Sequence, residues 1–206
     1  MIPHSVKHLQ IPNPNVIFHV VVDADGSLMD YLAIEATHHE LLQKAEEKLQ
    51  KAHFEAARYK GEAIRGKLAV AVSFFDPEQR AWKSGMTGAP MGGSVSDGVK
   101  RRMYERSKDI EVYKESQPAE LDQPLRLIKS QLCLVHPPGQ PMEQGRVVVE
   151  YYVDRMGNIR MPKVLESDSE YLTKSALLTL EASQFEPPVR NGRPTFVKVR
   201  QPFNFG

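Results

Sequence analysis

The sequence predicts an α+β protein built from two β-β-α-β units, each a small antiparallel sheet with one helix packed on one face. Three observations predict it. The chain echoes itself at an offset of 131 residues. Each copy opens with a strand, an Asp-x-x-Gly turn and a second strand. Each then carries one apolar stripe at helical spacing, a loop with a glycine, and a last strand.

Residues 16–74 lie over 147–205 without a gap, with thirteen identities in fifty-nine positions. Val22/Val153, Asp23/Asp154 and Gly26/Gly157 fall at the turn, and Leu41/Leu172, Ala45/Ala176 and Leu49/Leu180 in the helix. Phe54/Phe185 and Gly61/Gly192 fall in the loop, Lys67/Lys198 and Phe74/Phe205 in the last strand. The matches sit where backbone geometry is most demanding, so the period decides the fold before any single element does.

The first strands, VIFHVVVD and RVVVEYYVD, are rich in β-branched and aromatic residues. In the turn, aspartate accepts backbone N–H bonds just ahead, and glycine takes positive φ without a Cβ clash. Second strands are expected over about 27–36 and 158–167. Thr37 with Glu40 and Ser167 with Glu170 have capping-box spacing, so helices should start there. Leu41, Ala45, Leu49 and Ala52, and likewise Leu172, Ala176, Leu180 and Ser183, form the stripes. In the last strand Lys67, Ala69, Ala71 and Ser73 alternate with Leu68, Val70, Val72 and Phe74, the period of a half-buried strand.

Between the copies the chain changes character. SGMTGAPMGGSVSDG reads as loop, and SVSDGVKRRMYERSKDIEVYKE as a polar, exposed helix. Its cluster Lys100, Arg101, Arg102 and Arg106 is interleaved with acids, which favours a solvated face over a nucleic-acid site. QPLRLIKSQLCLV reads as a further strand leading into the second copy. The expected division is a degenerate repeat over 1–76, a linker with a polar helix over 77–120, and a second repeat with its lead-in strand over 121–206.

A net charge of +1 supplies no field to hold nucleic acid or an anionic membrane. One cysteine, Cys133, excludes an intrachain disulfide. No apolar run approaches the roughly 18–20 residues that span a bilayer, so no membrane insertion is expected of this chain. No signal segment opens it, which fits a cytoplasmic protein or one parted from its export signal or anchor.

No reactive constellation emerges, so neither catalytic residues, a metal nor a cofactor is expected. The histidines (His4, His8, His19, His38, His39, His53 and His136) complete no zinc pattern and read as surface residues. Cys133 lies in the apolar alternation SQLCLV, which suits a buried strand thiol. Glu55 and Glu186 are repeat-equivalent and follow the helices, which suits structural roles.

The residues from Gly145 to Val147, the hairpin Val153 to Gly157, the stripe Leu172 to Leu180, Phe185 to Pro188, Asn191 to Pro194, and Pro202 to Phe205 together resemble the TonB C-terminal domain family. The first copy resembles it in degraded form: it keeps the hairpin, stripe, Phe54 and Gly61, but has Ala56-Ala57 and Lys60-Gly61 where the second has prolines and Asn-Gly. The family often has Tyr-Pro before the first strand; His136-Pro137 stands nearest here.

The resemblance implies a non-enzymatic, transport-linked protein in the periplasm of a Gram-negative-type cell. Its partner would be a protein or peptide, such as the extended segment of an outer-membrane receptor, added to an exposed strand edge. The terminal strand is where that segment would pair, which singles out Thr195, Val197, Lys198, Arg200 and Asn204, with Lys198 and Arg200 projecting from one face. The competing expectation is that the other copy or the QPLRLIKSQLCLV strand already lies along this edge. A homodimer is compatible with the same edge. The alternative function is small-molecule binding or catalysis in a cleft between the repeats.

Overall fold

A computed structural model describes residues 11, 14–74, 112–136, 138–139 and 141–206. The loop expected over 84–98, the basic cluster Lys100, Arg101, Arg102 and Arg106, and His4 and His8 lie outside the described residues. Among the described residues the protein is mixed α and β, dominated by strands, with two α-helices. The chain divides into two units: Met1–Met29 with Ala33–Tyr113, and Asp30–Leu32 with Lys114–Gly206.

In the first unit the order is β1 (Asn15–Val22), β2 (Leu28–Ala36), α1 (Leu41–Leu49), the short hairpin β3 (Ala57–Tyr59) and β4 (Glu62–Ile64), and β5 (Gly66–Ser73). The sheet order is β5-β1-β2. β1 and β5 pair antiparallel from Asn15↔Ser73 to Val22↔Gly66. Val16, Phe18, Val20 and Val22 alternate inward on β1 and are buried, as are Leu41, Leu42, Ala45 and Leu49 on α1. Alternation at period two on the strand and an apolar face on the helix give one shared core. The turn closes through the Asp23 N–H to the Ser27 carbonyl (2.9 Å) and the Gly26 N–H to the Asp23 carbonyl (3.0 Å). The expected capping box is absent: Glu40 occupies the N-cap with no side-chain cap bond. Thr37 instead turns to β1, its hydroxyl accepting from the Asn15 N–H at 3.1 Å and donating to the Asn15 carbonyl at 3.2 Å.

The second unit runs β6 (Tyr113–Ser116), a 3-10 turn at Pro118–Glu120, β7 (Leu127–Lys129), β8 (Gly145–Val153), β9 (Ile159–Ser167), α2 (Glu170–Glu181), β10 (Gln184–Phe185), β11 (Val189–Arg190), β12 (Arg193–Pro194) and β13 (Phe196–Phe205). Its sheet order is β6-β13-β8-β9. β8 and β13 pair antiparallel from Val153↔Val197 to Gly145↔Phe205. Val147, Val149, Tyr151 and Val153 of β8 pack with Leu172, Ala176 and Leu180 of α2, and with Val197 and Phe205 of β13. Burial pushes the Tyr151 phenol up to about 12. The cap of α2 is Ser169, whose hydroxyl accepts the Tyr171 N–H at 3.1 Å; Ser167, the expected cap, bonds to the Ser169 carbonyl and Thr173 instead.

Two expectations for the lead-in change. Tyr113–Ser116, of which Tyr113 to Glu115 end the expected helix, is a strand parallel to the start of β13, with Phe196↔Glu115 and Val197↔Ser116. Pairing with a distant strand overrides local helical preference. The stretch read as a lead-in strand pairs only over β7, which joins β10. Beyond it, residues 131–135 form a strap held by hydroxyls of α2. Thr179 Oγ1 accepts the Cys133 N–H at 3.0 Å, and Ser175 Oγ accepts the Val135 N–H at 2.8 Å. Both hydroxyls also reach the carbonyls of the same residues, at 3.4 and 3.3 Å.

Candidate protein-binding site

β13 is positioned by its full-length pairing with β8 on one edge. On its other edge the sheet order places only β6, which covers Phe196 and Val197. From Lys198 onward, that edge carries no strand partner among the described residues.

The five residues singled out from the sequence divide accordingly. Thr195 is buried, its hydroxyl 2.8 Å from Ser116 Oγ and donating to the Lys114 carbonyl at 3.1 Å. It ties β6 to β13. Val197 is fully buried in the core beneath α2. Neither side chain is available to a partner. Lys198, Arg200 and Asn204 are exposed and, at spacing two, share one face with Pro202.

That face is not a bare cationic one. Lys198 Nζ lies 3.9 Å from the Glu150 carboxylate and 5.2 Å from the centroid of the Tyr152 ring. A hydrogen bond with Tyr152 is the main cause that raises the Lys198 ammonium above the usual lysine range; Glu150 and Glu115 add to it, against a smaller loss of hydration. Arg200 bonds Glu166 at 2.8 Å, with both side chains more than half exposed. The sheet face thus alternates charge across three strands, a pattern that sets register for a partner more than affinity.

The β8–β9 turn is tied together by one carboxylate. The buried Asp154 carboxylate accepts from the Met156 N–H at 2.8 Å, the Asn158 N–H at 2.9 Å and the Arg160 Nε–H at 2.8 Å. Asp122 does the same for the Asn191-Gly192 turn, accepting both N–H groups at 2.8 and 2.7 Å. No sequence spacing links Asp122 to that turn, so sequence reasoning missed it.

In the first unit, donor atoms of His38, His39 and Glu40 fall within 4.8 Å of one another. His38 is buried, not a surface residue as expected. Its Nδ1 accepts the Glu40 N–H at 3.2 Å, so a cation would compete with that bond at the positive end of α1. The set does not fit a preformed metal centre. Cys133, expected in a strand core, is half-buried on the strap, its thiol directed to the Gln131 carbonyl at 3.6 Å. In the second unit a hollow of about 490 Å³ opens between Pro124, Arg126, Glu186 and Pro188. Of its charged walls, Arg126 and Glu186 bond each other at 3.4 Å, and Asp122 is engaged by the Asn191-Gly192 turn.

Among the described residues no helix is long and apolar enough to cross a membrane. No curated protein and no solved structure matches the chain. The part of the chain that holds β8, β9, α2 and β13, residues 140–206, matches the family described as the C-terminal region of the Gram-negative bacterial TonB protein, a non-enzymatic, transport-associated domain of envelope proteins.

Proposed function

We propose that the second unit is a TonB-like docking module of the periplasm, which captures an extended segment of an envelope protein along the open part of β13. The observation that carries this reading is the half-covered edge: β6 stops at Val197, and Lys198, Arg200 and Asn204 flank the exposed remainder. An open strand offers a row of N–H and C=O groups to an incoming strand.

We further propose that residues 16–74 and 147–205 are tandem copies of one module, the first degenerate. Several observations support this. β2 and β9 begin and end 131 residues apart (159 − 28 and 167 − 36). The pairings Val16↔Val72 and Val147↔Phe203 are equivalent under the same offset. Lys60-Gly61 and Asn191-Gly192 both turn through positive φ.

The experiment is a titration of ¹⁵N-labelled protein with peptides from extended segments of outer-membrane receptors. Amide shifts concentrated in 198–204 are expected. Silence there with every peptide, while the protein remains folded, overturns the docking reading.

A further inference from the structure

We propose that the strap at 131–135 is a second, separate peptide-binding edge that takes an extended segment bearing alternating apolar and acidic residues. This goes beyond docking at β13 and does not rest on it.

The strap is extended and bonded to α2 on one side only. Cys133 and Val135 direct both their N–H and C=O groups at Thr179 and Ser175. In an extended chain successive residues point their backbone groups to opposite sides. Leu132 and Leu134 therefore direct theirs away from the helix, and no hydrogen bond among the described residues engages either. Two N–H and two C=O groups at strand spacing are left for an added strand. α2 acts here as the neighbour strand would in a sheet, so the outer edge is held straight without a sheet behind it.

Side chains and charge select the occupant. Leu132 is 63% exposed and Leu134 46% exposed, a pair on one face that only an apolar neighbour would cover. From 123 to 142 the chain has no aspartate or glutamate, while Arg126, Lys129 and His136 lie within it. Arg126 is spent on Glu186, but Lys129, at the head of the strap, is exposed and has no carboxylate partner among the described residues. An acidic residue flanking the partner's apolar pair answers that charge. The first unit has no such device: the positions 131 residues before Ser175 and Thr179 are Lys44 and Lys48.

The test uses the full chain and an N-acetylated, C-amidated peptide of alternating valine and glutamate. In ¹⁵N spectra, the amides of Leu132 and Leu134 should shift together, and the shifts should weaken with salt. Leu134→Pro removes an N–H that no group among the described residues uses, in an extended stretch that proline tolerates. It should weaken binding about five-fold, the loss of one backbone hydrogen bond, while the Val135 amide stays protected. Lys129→Ser should weaken the acidic peptide but not a valine–serine analogue. Unshifted Leu132 and Leu134 amides, shifts only in 198–204, or full affinity in Leu134→Pro would each overturn the proposal.

Discussion

Gly157 and the Phe185 carbonyl are in direct opposition: a Cβ on Gly157 would stand 2.0 Å from the Phe185 oxygen, and the Phe185 N–H bonds back to the Gly157 carbonyl at 2.9 Å. Gly26 meets Phe54 in the same manner, at 2.6 Å. In each unit the hairpin turn is therefore pressed against the chain that leaves the helix, and only glycine leaves room.

Gly157→Ala should cost about 2–4 kcal/mol, from overlap with backbone added to a left-handed φ of +82°. Gly192 has a φ of +73° but open space around its Cα, so Gly192→Ala should cost only about 1 kcal/mol. Urea unfolding of the two variants gives the order; equal losses would refute the steric contact.

Ser175→Ala and Thr179→Val each leave a strap N–H without its hydroxyl acceptor. Each should cost about 1–2 kcal/mol. Hydrogen exchange should quicken at Val135 in the first and at Cys133 in the second, with β8 unchanged. Unaltered exchange at both amides would mean that the hydroxyls do not hold the strap.

Asp154→Ala strips four donors (the Met156 and Asn158 N–H groups, the Asn158 side-chain amide and the Arg160 Nε–H) of a buried acceptor and should destabilise by about 2–4 kcal/mol. Asp25→Ala, at an exposed carboxylate that bonds the Ser27 hydroxyl and N–H, should be close to neutral. Thermal unfolding distinguishes them.

Two groups make stability depend on pH. Burial first, then the Lys67 ammonium, hold the His19 imidazole below its ordinary 6.5. The folded state thus prefers neutral His19, and stability falls as pH drops below 6.5 through the lowered value. Tyr151 is raised to about 12, so alkaline stability is lost as pH climbs from 10 toward 12. His19→Gln should flatten the acid limb, and Tyr151→Phe the alkaline one. Limbs unchanged in these variants would assign the dependence elsewhere.

The lone pair Arg200–Glu166 is exposed and contributes little to stability. Arg200→Ala should change unfolding by less than about 0.5 kcal/mol yet slow association with a receptor-derived peptide. A variant that unfolds easily and binds normally would reverse these roles.

What the sequence showed and what it hid follow from range. β1, β2, α1, β8, β9, α2 and β13 were legible because period and turn chemistry are local: Val147, Val149 and Val153 alternate, and Asp154 and Gly157 punctuate. Tyr113 to Glu115 show helical character in the sequence, yet they are strand because of pairing with Phe196 and Val197, some eighty residues away. The strap was read as sheet because LCLV has strand chemistry; its true neighbour is the hydroxyl row Ser175 and Thr179 on a helix. A serine and a threonine four apart on a buried helical face were the available signal. At the candidate edge, Lys198, Arg200 and Asn204 stand exposed, while Thr195 and Val197 face inward because β6 and α2 cover the start of β13.

The most direct measurement is a set of isotope-filtered NOEs between unlabelled receptor-derived peptide and labelled protein. Backbone-to-backbone contacts running along 198–204 are the predicted result. Contacts confined to other strands, or to side chains with no β13 backbone involved, would contradict strand addition at this edge.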